Sequence, residues 1–203
     1  MRRLLSLFPL LALLLVAALP AARAQESATP AASAADTQTK IENAMSAAPS
    51  DIAEHATILD NALDANGKFV VLRQGDNGWY CLPDAYGTPG PDPWCFDHTW
   101  LDWTYAFIAK QDPQTKVPGL AYMLQGGSDA SNTDPFATEP EPGNEWMNSP
   151  AHVMLLLPED LTKAGFSPDY QSGGPWIMWA GTPYEHLMMP VANVAGMMGT
   201  PAP

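Results

Sequence analysis

Basic residues are scarce in this chain. Nine Lys and Arg stand against 22 Asp and Glu, and three of the nine precede Ala24. Without those three, the net charge is about −16. Nucleic acids and anionic membranes both recruit Lys and Arg, so the composition excludes a nucleic acid and an anionic membrane surface as partners. It is typical of a self-repelling exported protein; the alternative is a protein that binds cations or a cationic ligand.

Cysteine is nearly absent as well. The chain has only Cys81 and Cys95, and it has no C-x-x-C pair, which excludes a thioredoxin-type site. In an exported protein, two cysteines pair by default. We therefore predict a Cys81–Cys95 disulfide that closes a loop of about 15 residues and stabilises the fold by about 3 kcal/mol. A catalytic or metal-bound thiol is the alternative.

No apolar run is long enough for an ordinary membrane-spanning helix. The longest, from Leu4 to Leu19, has about 16 residues, whereas a bilayer needs about 20. Basic residues precede this run, and the small-x-small sequence of residues 22–24 follows it. This pattern predicts a secretory signal peptide over residues 1–24, cleaved near Ala24, and a periplasmic or secreted protein.

Motifs that would identify an activity are also missing. The chain contains no P-loop, no G-x-G-x-x-G, no G-x-S-x-G elbow, no H-E-x-x-H and no kinase signature. The sequence therefore indicates no definite reaction, and candidate sites rest on residue types and their positions.

The rest of the chain divides into three regions. Residues 25–49 are rich in Ala, Ser and Thr and predict a disordered or loosely helical tether. Residues 50–191 have the apolar content of a single globular domain, and residues 192–203 predict a flexible tail. The 21 prolines and 15 glycines indicate short elements joined by many loops.

The first part of this domain predicts strands. Runs rich in β-formers at residues 55–60 and 68–73 flank the turn signal Asn66-Gly67, and a third run covers residues 79–82. We interpret them as a three-stranded antiparallel meander. Further strands are predicted at residues 119–124, 151–157 and 176–179, of which residues 151–157 are the most apolar and should be central.

Residues 97–110 predict the main helix. Trp100, Trp103 and Phe107 recur at helical spacing, and Asp97 is suited to cap the N-terminus. The fold class predicted is α+β: an antiparallel sheet of about six short strands with one main amphipathic helix and long Pro/Gly-rich loops. The disulfide would join the third strand to the start of this helix.

The later histidines and an acidic loop supply one candidate site. His152 and His186 lie in or beside apolar strands, and the loop over residues 128–150 carries Asp134 and Glu145. Together these side chains would suit zinc-type coordination or an acid–base pair. No definite cofactor follows, and a divalent metal is the candidate.

A second candidate lies on the predicted helix. His98 and Asp102 are four residues apart and therefore share a face, where they could chelate a metal or act as a base and its orienting group. That face lies apart from the tryptophan stripe and should be exposed to solvent, so a solvated polar face is the alternative interpretation.

Several motifs together resemble a known group of proteins. They are Gly78-Trp79-x-Cys81-x-Pro83, Cys95-x-Asp97-x-x-Trp100-x-x-Trp103, and Met178-Trp179-x-Gly181-Thr182-Pro183-Tyr184-x-His186. This pattern resembles a family of exported bacterial proteins of unassigned function, over roughly residues 52–190. The resemblance implies an exported single domain and brings no catalytic role.

The function predicted is that of an exported envelope protein with a non-enzymatic small-ligand or metal-binding domain. Strong acidity, aromatic-rich segments and the missing motifs favour it. The alternatives are a small hydrolase that uses a histidine with a carboxylate, and a structural or partner-binding protein that uses residues 128–150 as its contact surface. No protein partner is indicated.

Overall fold

The computed structural model describes residues 34–85 and 87–191 of the 203-residue chain. The predicted signal peptide, the first part of the predicted tether and the predicted tail lie outside the described residues. Across the described ranges, no helix has the length and apolar character needed to cross a membrane.

Residues 34–85 and 87–191 form ten strands. They are β1 (Thr57–Leu63), β2 (Phe69–Arg73), β3 (Tyr80–Leu82), β4 (Trp94–Phe96), β5 (Gly119–Met123), β6 (Gly127–Asp129), β7 (Met147–Ser149), β8 (His152–Leu156), β9 (Trp176–Met178) and β10 (His186–Pro190). Eight of them form one sheet in the order β2-β1-β3-β4-β5-β8-β10-β9, and β6 pairs with β7. The α+β class is confirmed, but the prediction of about six antiparallel strands is wrong.

The predicted meander is wrong because β3 pairs with the other edge of β1, and the two strands run parallel. The hairpin of β1 and β2 does form, with Gly67 at φ 72° in its turn. After β2, the chain crosses the start of β1 at backbone contact distance. A Cβ on Gly75 would lie 2.3 Å from the carbonyl carbon of Ala56, so only glycine fits this crossing.

Strands β4, β6 and β7 have three residues each, too few for a periodic pattern, and all were missed. β4 lies between β3 and β5, and it places Cys95 directly opposite Cys81. The disulfide between them is confirmed. It joins two neighbouring strands, and the helix begins two residues after β4.

In the described part of the chain, three α-helices accompany the sheet: α1 (Ala34–Met45), α2 (Ser50–Ala53) and α3 (His98–Ile108). The predicted helix is confirmed as α3, and so is its cap. Asp97 Oδ1 accepts the N–H of Trp100 at 3.1 Å, and Oδ2 accepts the N–H of Leu120 in β5 at 2.7 Å. One carboxylate therefore caps α3 and holds it against the sheet.

Side-chain alternation gives the sheet two different faces. On the α3 face, alternate strand residues pack against Trp100 and Trp103: Leu82, Phe96, Met154, Met178 and Met188. On the opposite side, the disulfide face, Cys81 and Cys95 pack with Ile58 and with Ala44 of α1. Residues 34–49, predicted as a loosely helical tether, thus include a helix that packs on this face.

Candidate functional site

A cavity of about 520 Å³ lies on the α3 face. Alternate residues of the strands, with Met154, Met178 and Met188 among them, form its buried base. Trp100, Trp103 and Phe107 line it from α3, at the i, i+3 and i+7 positions of one helical face. The loop that follows β6 completes it with residues 130–131, 134–135 and 137.

Three flat rings form one wall of this cavity, which we call the aromatic wall: Trp103, Phe107 and Trp179. The ring of Trp103 is nearly parallel to that of Phe107, with centroids 5.3 Å apart, and to that of Trp179, with centroids 6.1 Å apart. Phe107 and Trp179 are also nearly parallel, at 5.6 Å. The stacked rings leave little rotational freedom, so the wall is a rigid aromatic surface.

Trp179 holds an uncommon backbone conformation, with φ at 55°. Its N–H donates to Asn132 O at 2.8 Å, and its indole N–H donates to Ser131 O at 3.0 Å. Its carbonyl accepts from Thr182 Oγ1 at 2.7 Å. Bulky residues in this region cluster at functional sites, where the surrounding structure enforces them. The surrounding loops thus hold this indole at the cavity.

Two aspartates that the sequence did not single out also line the cavity. Asp92 Oδ1 accepts the N–H of Ser128 at 2.6 Å, whereas its buried Oδ2 has no hydrogen-bond partner within the described part of the chain. Asp129 lines the cavity close enough for the charge of Asp92 to act on it. Burial raises the pKa of Asp129 to about 7, and the charge of Asp92 adds to this shift. Burial also raises the pKa of Asp92.

His186 lines the same cavity with a neutral imidazole. Its ring meets those of Trp100 and Trp179 edge-on, at centroid distances of 5.2 and 5.1 Å. Burial lowers the pKa of His186 to about 4, so the ring is uncharged at neutral pH. Nδ1 lies 3.1 Å from the carbonyl oxygen of Tyr184 and must donate to it, because a carbonyl only accepts. Nε2 is therefore unprotonated, and no described residue donates to it.

His152 lies on the same face of the sheet but not on the cavity wall. Its register partner on β10 is Pro190, four residues from His186, which corresponds to about 13 Å along the strand. The facing pair Met154 and Met188 lies between the two histidines. Nδ1 of His152 is 2.7 Å from Pro150 O, and burial lowers the pKa of His152 to about 4. The two histidines thus occupy separate places.

Of the two carboxylates predicted to accompany these histidines, only one lines the cavity. Asp134 lines the cavity with His186 and is exposed, and its Oδ1 accepts the N–H of Phe136 at 2.9 Å. Glu145 is exposed and does not line the cavity. Within residues 34–85 and 87–191, no group of three or more His, Cys, Asp or Glu could hold a metal ion.

The predicted pair on α3 faces solvent. His98 Nε2 lies 3.8 Å from Asp102 Oδ2, and the two side chains are 72% and 73% exposed. Together with residues 111–117, they line a second pocket of about 490 Å³. Trp103 lines both this pocket and the main cavity.

Two buried indole N–H groups of cavity-lining tryptophans have no acceptor within the described part of the chain. The indole N–H groups of Trp100 and Trp103 find no partner among the described residues, although both side chains are at least 95% buried. Buried polar groups in native proteins are almost always paired, so each exception needs an explanation. With Asp92 Oδ2, three such atoms belong to side chains that line one cavity.

Sequence reasoning missed Asp92, Asp129 and Trp179 as site residues. Asp92 lies in a Pro/Gly-rich stretch and Asp129 at the start of the acidic loop, and neither has a local motif around it. The signal that would have drawn attention to them, a carboxylate pair beside aromatic rings, exists only after folding.

Comparison with protein-family models, curated proteins and solved structures found no match for this chain.

Proposed function

We propose that this chain is an exported, non-enzymatic domain that binds one small, largely apolar organic ligand in the cavity on the α3 face. The observation that carries the proposal is the cavity itself, in which the aromatic wall lies beside the polar side chains of Asp129, Asp134 and His186. The apolar body of a ligand would cover the aromatic wall, and a few polar atoms would meet these side chains.

The size and composition of the cavity support this proposal. Its 520 Å³ falls within the range of small-molecule sites, about 300–1,000 Å³. Such sites combine mostly apolar walls with a few oriented polar groups, here carboxylates and one imidazole. The strained backbone of Trp179 supports it as well, because its position serves the cavity wall rather than a strand.

Export is supported by two features of the chain. The pattern of residues 1–24 is that of a secretory leader. The disulfide between Cys81 and Cys95 is typical of oxidising compartments outside the cytosol. A periplasmic or secreted location follows as part of the proposal.

The test uses N-phenyl-1-naphthylamine, a neutral dye whose fluorescence rises in apolar surroundings. We expect saturable binding at one site per chain. The variant Ala130→Trp fills the cavity from its half-buried edge and should weaken binding at least tenfold. Ala164→Trp, at an exposed position away from the cavity, is the matched control and should bind as the native chain does.

Two results would overturn the proposal. One is the absence of saturable dye binding to the folded native chain. The other is equal dye affinity in the Ala130→Trp variant and the native chain while circular dichroism reports the same fold for both. Equal weakening by both tryptophan substitutions would also contradict a site at the cavity.

A second candidate function is a small hydrolase with a histidine and a carboxylate. The observation that favours it is the pKa of about 7 for Asp129 beside Asp92, an arrangement suited to a general acid with an ionised partner. It ranks second because Ser128 Oγ, a hydroxyl beside this pair, contacts Gly90 N and Asp92 rather than a histidine. Turnover of p-nitrophenyl esters or glycosides that Asp129→Asn abolishes would support it, and no turnover would remove it.

A further inference from the structure

The charged and titratable side chains on the cavity wall are all hydrogen-bond acceptors, and none of those described is a fixed cation. Of the described residues that line the cavity, three are Asp, one is His, and none is Lys or Arg. The histidine, His186, is neutral and offers a free lone pair on Nε2. Carboxylates and a neutral imidazole nitrogen all attract positive charge or hydrogen-bond donors.

The hydroxyl and amide donors of the wall are already in use. Asn61 Nδ2 donates to the carbonyl oxygens of Pro83 and Asp84, at 3.2 and 3.0 Å. Thr104 Oγ1 donates to Trp100 O at 2.7 Å. A sugar or another ligand with many hydroxyl groups needs donors as well as acceptors, so this lining disfavours it.

Two rings beside the cavity already bind ammonium groups of this same chain. Lys68 Nζ lies 3.9 Å from the ring centroid of Tyr105, and Lys110 Nζ lies 4.9 Å from that of Phe136. Neither ring lines the cavity. The aromatic wall has no such internal partner among the described residues, and its tryptophans have the faces that attract cations most strongly.

We infer that the ligand is an organic cation, an alkyl or arylalkyl ammonium, whose apolar body covers the aromatic wall and whose N–H groups donate to Asp129. This inference rests on the proposed function and names its ligand class. The Asp129 carboxylate accepts no hydrogen bond from any described residue, so it is available to a ligand. His186 Nε2 is a second acceptor on the same wall.

The test compares three ligands with one carbon skeleton, 4-phenylbutylamine, 4-phenylbutanol and 4-phenylbutyrate, by calorimetry on the full chain at pH 8. We expect the amine to bind about tenfold more tightly than the alcohol, and the carboxylate to bind most weakly. In Asp129→Asn, the affinity ratio of amine to alcohol should fall to threefold or less. Asp102→Asn removes an equal charge from the exposed side of α3 and should keep the native ratio.

The outcomes separate this inference from the proposed function. Binding of the alcohol as tight as that of the amine would overturn the cation and leave the ligand-binding cavity in place. Failure of all three compounds to bind would remove both. A ratio that falls equally in Asp102→Asn and Asp129→Asn would assign the preference to the overall negative charge of the chain and would overturn the site.

Discussion

The two faces of the sheet differ in the size of the side chains that cover them and in the space left between them. On the disulfide face, Ala44, Ala47, Ile58, Cys81 and Cys95 are completely buried, and most of them are small. Small side chains let α1 approach the sheet closely and leave little space between them. On the α3 face, wide rings meet methionines and leave a cavity of about 520 Å³.

The two faces also differ in how completely their buried polar groups are hydrogen-bonded. Beside the disulfide face, the Arg73 guanidinium donates to the carbonyl oxygens of Ala53 and Ala56, and Lys40 pairs with Asp60 at 2.7 Å. None of the described buried polar atoms without a partner belongs to the disulfide-face cluster, whereas several lie on the α3 side. No unpaired buried polar atom is seen among the described residues of the disulfide face, whereas the α3 face combines a large buried core with a cavity.

The sharpest test of this contrast uses two neighbours on β10. Leu187 faces the disulfide side and Met188 faces the cavity, and both are at least 98% buried. Leu187→Ala opens a new void in filled packing and should lower the free energy of unfolding by about 4 kcal/mol. Met188→Ala only enlarges an existing cavity and should cost about 2 kcal/mol. Urea unfolding measures both, and equal losses would contradict the contrast.

Removal of the disulfide is expected to have the next largest effect. Cys81→Ala combined with Cys95→Ala should lower the free energy of unfolding by about 3 kcal/mol, because the unfolded chain regains the freedom that the closed loop removes. The affinity for N-phenyl-1-naphthylamine should stay within threefold, since the cysteines face away from the cavity. A loss of stability under about 1 kcal/mol, or lost dye binding in the folded variant, would contradict this division of roles.

Asp129 allows a pH test of the cavity face. Its pKa is raised to about 7 in the folded chain but is ordinary in the unfolded chain, so its stabilising contribution is complete below about pH 4 and is lost as pH rises through 7. Asp129→Asn should therefore be more stable than the native chain by about 2 kcal/mol at pH 8, with an advantage that shrinks toward pH 4.

The two buried histidines act in the opposite direction. Because the pKa values of His152 and His186 are lowered to about 4, their contribution is present above about pH 6.5 and is lost as pH falls through 4. The native chain and the Asp129→Asn variant share this loss of stability, so it cancels in the difference between their free energies of unfolding. A difference between Asp129→Asn and the native chain that does not vary with pH would contradict the burial of this carboxyl.

The smallest effect is expected on the outer side of α3. His98→Ala removes a contact with Asp102 between two mostly exposed side chains, so the free energy of unfolding should change by less than about 0.5 kcal/mol. Amine and dye binding should both be unchanged. A loss of ligand affinity in this variant would move the site to the second pocket, which His98 and Asp102 line.

Local patterns predicted the parts of the fold that depend on neighbours in the chain. The spacing of Trp100, Trp103 and Phe107 predicts α3, and the Asp97 cap depends on an N–H three residues away. The disulfide follows from there being only two cysteines in an exported chain. Strand β4 could not be predicted, because three residues between Pro93 and Asp97 carry no periodic signal and pair only with distant strands.

The candidate site was predicted in part. His186 and Asp134 were named from the sequence, and both line the cavity. Asp92 and Asp129 were not, because what distinguishes them is a contact between segments 36 residues apart, where Asp92 binds the N–H of Ser128. The pKa values of both carboxyl groups are raised by burial, and no local sequence pattern encodes burial.

The amino-acid order was sufficient to specify the acidic charge, the α3 helix with its cap, and the cysteine pair, since each depends on composition or on residues close together in the chain. Only the folded arrangement placed β3 parallel to β1, set Trp179 at positive φ, and enclosed a cavity between rings from α3 and carboxylates from two loops. These features arise from long-range packing. The wide aromatic rings do not fill the space above the methionine side chains on the α3 face of the sheet. The space that remains, with the aromatic wall and the Asp129 carboxylate beside it, is the ligand site that we propose.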